Sequence, residues 1–204
     1  MRIKLPVMAW LSVLVGVQAV GASVAGAQRF EVRFEVAQEE GAAVVDRAWL
    51  DERVEAASAL FSPAGVSFAT AEVAETDLPS VVVTRRDRHA FGPRVQPSRG
   101  VIHVFVVRSL ADVDVAGRFL RGVHWRSRRG GGYRHFVILS TLAGPTVLAH
   151  ELGHFFGNPH SPTPGNIMSY ERRGPPSFDD GQLRRIRRFA QRFVRAGELR
   201  PLAR

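Results

Sequence analysis

The stretch HELGHFFGNPH, His150 to His160, holds three of the chain's 7 histidines. His150 and His154 lie four apart, which on a helix places both imidazoles on one face, one turn apart. Two imidazoles so placed can hold one Zn²⁺ at roughly 2.0–2.1 Å each. Glu151, adjacent to the first histidine, can reach a water on that metal without being a ligand itself, the place of a general base in a metalloprotease. Gly157 permits the positive φ needed where the chain leaves the helix and turns back. His160 can then approach as a third nitrogen ligand. Three protein ligands with one position open is the arrangement of a catalytic zinc, whereas a structural zinc is closed by a fourth ligand. Such a zinc lowers the pKa of its water to about 7. Shuffled chains of this composition would produce HExxHxxGxxH about four times in 100,000, so three unrelated histidines are the weaker explanation.

These residues, followed by NIMSY at Asn166 to Tyr170, resemble the metzincin clan of zinc endopeptidases, whose signature is HExxHxxGxxH with a later methionine turn. The resemblance implies a metzincin-like zincin fold. This is a mixed α/β (α+β) domain with a twisted, mostly parallel sheet, an antiparallel edge strand, an active-site helix and a short C-terminal subdomain. It implies metal ligands His150, His154 and His160, catalytic Glu151, and Met168 in the turn that floors the site. The alternative for Met168 is an ordinary core methionine. Ser161 and the step from His160 to Met168 are similar to matrixins. Tyr170, two residues after the methionine, is similar to astacins and serralysins, where the tyrosine helps stabilise the oxyanion; a packed structural tyrosine is the alternative. Asp179 or Asp180 would anchor the methionine turn or simply cap the last helix. The strand near Gly122 to Arg126 would be the sheet edge that pairs with an extended protein or peptide substrate. The segment from Glu171 to Phe178 would line the main specificity pocket, where Arg172 and Arg173 either favour acidic side chains or are merely solvated. Matrixins hold latency with a propeptide cysteine, and this chain has none. Matrixins also bind calcium, but Asp112 and Asp114 alone are weak ligands for it, and no calcium is expected.

The elements that must position this site follow from hydrophobic periodicity. Phe30 to Val36 alternates apolar and charged residues, as a strand with one wet face does. Ala43 to Phe61 has helical spacing, with Trp49, Val54, Ala57 and Leu60 or Phe61 facing inward, and SPAG at Ser62 to Gly65 stops it. Val66 to Val73 reads as a strand. Asp77 to Gly100 reads as loop apart from Val81 to Val83. Val101 to Arg108 reads as a central strand, Gly122 to Ser127 as a shorter one, and His135 to Ser140 as another buried strand, with a turn at RRGGG between the last two. A helix is expected from about Pro145, ending before Gly157. A last helix is expected over Ser177 to Arg195. His89, His103, His124 and His135 lack ligand spacing and read as structural or surface residues.

Arg2 and Lys4, the apolar run Val7 to Val20 and the small residues Ala25 to Ala27 form the pattern of a secretory signal. Residues 1–27 are therefore expected to be a signal peptide. Residues 28–204 would form the catalytic domain, with 28–157 above the cleft and 158–204 below it. The protein is expected to be secreted or periplasmic, a monomer, with no stable membrane anchor once the signal is removed. The absence of cysteine excludes disulfides, cysteine-type zinc sites and cysteine nucleophiles. The 28 basic residues against 19 acidic ones give +9, and loss of Arg2 and Lys4 leaves +7. No nucleic-acid motif accompanies this charge, and no specific nucleic acid is expected. A polyanion-binding face on Arg184, Arg185, Arg187, Arg188, Arg192 and Arg195 is less favoured than a solvated one. The function read from these residues is a secreted zinc-dependent metalloendopeptidase. The alternative is a secreted zinc-binding protein without proteolytic activity, against which an intact Glu151 argues.

Overall fold

The computed structural model describes residues 27–96, 99–129, 132–171 and 173–203; the expected signal segment falls almost wholly outside them. The elements run β1 (Gln28–Glu39), β2 (Ala42–Ala43), α1 (Arg47–Phe61), β3 (Val66–Thr76), β4 (Val81–Val82), α2 (Arg85–Ala90), β5 (Ile102–Val107), β6 (Ser109–Leu110), β7 (Gly122–Arg129), β8 (Gly132–Ser140), α3 (Val147–Phe155) and α4 (Asp180–Arg195). The main sheet is ordered β3-β1-β5-β8-β7, with β2 folded back on β1. The β1–β3, β1–β5 and β5–β8 pairs are parallel. β7 pairs antiparallel with β8, with Arg126 opposite His135. This is the mixed α/β architecture with an antiparallel edge strand that the sequence led us to expect.

Strand β5 is buried along its whole length, because both sheet faces are covered. On one face α1, α3 and α4 pack onto Phe30, Val32, Phe34, Val104, Val137 and Leu139. On the other, Leu78, Val82, Phe91 and Leu110 cover Phe105, Phe136 and Ile138. Among the described residues no helix is long and apolar enough to cross a membrane.

Several boundaries differ from expectation, each for a local reason. Helix α1 begins at Arg47 rather than Ala43, because Ala42 and Ala43 pair with Glu39 and Gln38 and Asp46 caps the helix through Trp49 N. The inner face of α1 carries Leu50, Arg53, Val54, Ala57 and Phe61, with Trp49 only half-buried. Helix α3 begins at Val147, after Pro145 and its N-cap Thr146. Helix α4 begins at Asp180, because Asp179 and Gln182 form a capping box. Helix α2 lies in a stretch read as loop; Thr84 and Asp87 cap it reciprocally.

Candidate metal centre

Helix α3 is short and buried on nearly every side, with only His154 partly exposed among its residues. A helix that is apolar all round belongs in a core, and α3 sits between α1 and the β7–β8 hairpin. Its approach is fixed by Arg53. That buried guanidinium donates from Nε (3.1 Å) and Nη2 (2.6 Å) to the Ala143 carbonyl and from Nη1 (2.7 Å) to the Trp49 carbonyl. It also stacks 3.5 Å above the Trp49 ring. The helix exit is a Schellman turn: Asn158 N–H donates to Gly153 O, and Gly157 N–H to His154 O. Gly157 has φ +84°, and a Cβ there would come within 2.6 Å of the Phe189 ring. Both facts call for glycine at the point where the chain swings back toward His160.

The three imidazoles converge. One ring nitrogen from each of His150, His154 and His160 lies within 4.8 Å of the others, and among the described residues this is the cluster that could hold a metal ion. The outer nitrogens are already used. His150 Nδ1–H donates to Ile167 O at 2.7 Å, and His154 Nδ1–H donates to Asn158 O at 2.8 Å. These bonds place the proton on Nδ1 and the lone pair on Nε2, the tautomer a metal requires. Nε2 of His154 lies 3.0 Å from Nε2 of His160. Burial lowers the pKa of His154 to about 4, and that of His160 is also lowered by burial, which favours the neutral imidazole that a metal would need. The donor set and its orientation fit a tetrahedral zinc with one open position.

Met168 lies beneath the helix. A methyl group at Gly153 would overlap its sulfur and stand 3.1 Å from its Cε. The turn around it is held by side chains that sequence reasoning did not single out. Asn166 and Gln182 exchange two amide hydrogen bonds, 2.9 and 3.1 Å, and Asn166 Oδ1 also accepts from Met168 N–H at 2.9 Å. Ser161 N–H reaches Met168 O at 3.0 Å, tying the segment after His160 to the same turn. Asp179 caps α4 through Gln182 N–H. The anchoring role considered for Asp179 or Asp180 therefore falls to Gln182, at the third position of the cap.

Glu151 is buried beside the cluster, and its Oε2 accepts from His124 N–H of β7 at 2.7 Å. Burial pushes its carboxyl up to about 8, opposed by that hydrogen bond. Gly122 of β7 packs so tightly on α3 that a Cβ would meet Val147 at 2.9 Å and Glu151 at 3.0 Å. Tyr170 is 80% exposed at the rim. Its hydroxyl lies 3.4 Å from His160 Nδ1 and its ring centroid 4.5 Å from that imidazole. A cleft of about 730 Å³ opens over these groups; Leu120, Trp125, Arg126 and Pro159 also line it.

The other histidines are not members of the cluster, although His124 lines the same cleft. His135 stacks on Phe155 (4.1 Å between ring centroids, 12° between planes) and faces His124 across 3.3 Å. Burial lowers His135 to about 4 and His124 to about 2. Buried His103 accepts from Gln96 N–H at Nε2 and is likewise lowered to about 4 by burial. Asp112 and Asp114 pair with Arg118 and Arg85. Arg172 lies outside the described residues, and Arg173 is exposed. None of the described residues from Glu171 to Phe178 is among those that line this cleft; Arg88, Arg118, Trp125 and Arg126, from α2, the 112–120 segment and β7, do line it.

No family model and no curated protein matches this chain in sequence. In structure it is similar to mirolysin, a metallopeptidase, in complex with compound 9. That match has TM-score 0.58 at 11% identity and covers 86% of this chain and 100% of that one. It is also similar to mature mirolysin of Tannerella forsythia in complex with a cleaved peptide, with TM-score 0.57 at 12% identity over 86% and 99% of the two chains. A third similar structure is metalloproteinase-II from Bacteroides fragilis, with TM-score 0.53 at 11% identity over 80% and 53%. At these identities the likeness establishes a shared fold.

Proposed function

We propose that this chain is a secreted, zinc-dependent metalloendopeptidase of metzincin type, with residues 1–27 as its signal peptide. Residues 28–157 would form the part above the cleft and 158–204 the part below. The observation that carries the reading is the orientation of the cluster: His150 and His154 spend their Nδ1 protons on backbone carbonyls, and Nε2 of His154 and His160 meet at 3.0 Å beside a buried carboxyl. The fold shared with metallopeptidases supports it.

His150, His154 and His160 would hold the zinc. Zinc bound there supplies Lewis-acid polarisation of the scissile carbonyl and a water acidified toward neutral pH. Glu151 takes a proton from the attacking water and delivers it to the leaving amine. The backbone of β7 presents a sheet edge along which an extended peptide pairs, giving hydrogen bonds independent of sequence. Tyr170 offers a hydroxyl at the rim for the developing oxyanion. Met168, braced by Asn166 and Gln182, keeps α3 and its ligands in place from below.

The test is a digest of casein or a peptide library by the purified mature protein, with and without a chelator, beside Glu151→Ala. The reading expects cleavage by wild type, loss with chelator, and loss in the variant with zinc content retained. Zinc-bound wild type that cleaves nothing would reject it in favour of a zinc-binding protein without proteolytic activity.

A further inference from the structure

A second cavity, of about 590 Å³, is bordered by Phe155, the residue after His154 on α3. Phe155, Phe189, Phe193 and Leu199 give it apolar walls, and buried His103 also borders it. Three arginines line it, Arg126, Arg134 and Arg192, against one acid, Glu198. Glu198 lies 3.5 Å from His135 Nε2, a ring that burial keeps neutral, so the lining carries three positive charges against one negative.

Arg126 joins the two cavities, since it lines both. It sits on β7 two residues beyond His124, hence on the same strand face and roughly 7 Å further along the edge. Its guanidinium has no hydrogen bond or ion pair among the described residues, while the cleft's other cations are engaged: Arg118 by Asp112, and Arg88 by the Ala111 carbonyl. An unengaged arginine beside an edge strand is a fork of donors awaiting a carboxylate. A peptide lying along β7 from the metal toward the hairpin end passes it and enters the second cavity.

We propose that the second cavity is a subsite of the same cleft, that it takes an acidic segment of the peptide substrate, and that Arg126 is the residue that selects it. Arg134 and Arg192 extend the positive lining, and the phenylalanines accommodate the segment's apolar atoms. This rests on the peptidase reading above and adds a substrate class to it.

Two measurements test it. In the first, inactive Glu151→Ala protein is titrated with a labelled peptide carrying Asp and Glu, and with its Asn and Gln counterpart. The acidic peptide should bind about tenfold tighter, the margin should shrink as salt rises, and Arg126→Glu should abolish it. In the second, a peptide library is digested. Wild-type cleavage sites should be enriched in Asp or Glu at a fixed offset from the scissile bond. Arg126→Glu should shift that position to Lys or Arg, whereas Arg184→Glu, an equal charge change on exposed α4 surface, should leave it acidic. Chelator-sensitive cleavage with no acidic enrichment, or enrichment that survives Arg126→Glu, overturns the subsite while leaving the peptidase reading intact. Equal binding of the two labelled peptides overturns it independently of turnover.

Discussion

Gly153→Ala is expected to destabilise the protein although alanine is the better helix former. Replacing an interior helix glycine by alanine favours the helix by about 1 kcal/mol. Here, however, the new methyl would overlap the sulfur of Met168, lie 3.1 Å from its Cε and 3.3 Å from Phe178. Met168 is fully buried and cannot swing into solvent. Overpacking of this kind costs about 1–3 kcal/mol, and the overlap puts this site at the upper end. The net loss is about 2 kcal/mol, a drop in Tm of about 4–8 °C for a domain of this size. Met168→Ala should cost about 2–5 kcal/mol by opening a cavity. In that background Gly153→Ala changes sign. It then fills part of the void and gains helix propensity, stabilising by about 1 kcal/mol. The coupling between the two sites is therefore about 3 kcal/mol. Denaturant titration of metal-free wild type, both single variants and the double variant measures it. A Gly153→Ala effect of the same sign and size in both backgrounds would refute the claim that Met168 braces the ligand helix from below.

Gln182→Leu should cost about 1–3 kcal/mol, because it leaves the buried Asn166 amide short of its partners; denaturation measures this, and a neutral result would remove the amide pair from the account. Tyr170→Phe should lower turnover about tenfold or more with zinc content still near one per chain, and unchanged turnover would reject the oxyanion role. His103 is held near 4 by burial against 6.5 when unfolded. The unfolded chain therefore binds more protons, so its contribution is full above pH 6.5 and is lost as pH falls toward 4. Denaturation midpoints of metal-free protein should fall across that window, less steeply in His103→Asn; identical slopes would contradict the assignment.

Much of the sheet and the convergence of the three histidines was legible in the sequence because both rest on short-range spacing. The alternation of β1, the apolar run of β5 and the i,i+4 histidines of α3 each satisfy a period that the chain displays directly. Gly157 was legible for the same reason, since a glycine after a helical run marks a left-handed exit, and its φ of +84° agrees. Helix α2 was missed although Thr84 and Asp87 carry the capping-box spacing; six residues rich in arginine show no hydrophobic period to accompany it. Two inward polar residues were hidden for a different reason. Arg53 and Gln182 look like solvent-facing positions of arginine-bearing helices. Their partners, the Ala143 carbonyl and Asn166, are 90 and 16 residues away. Only the tertiary fold supplies those acceptors. The same holds for Glu151 and His124, joined by one backbone hydrogen bond across 27 residues.

The most direct test of the central claim is a zinc titration of metal-free protein while cleavage of a fluorogenic peptide is followed. The account predicts activity that rises linearly and breaks at one equivalent in wild type. Glu151→Gln should bind the same single equivalent yet lose about 10²–10⁴-fold in turnover, and His160→Ala should lose the sharp break. Cleavage that is present before zinc is added, or that persists undiminished in Glu151→Gln, would contradict it.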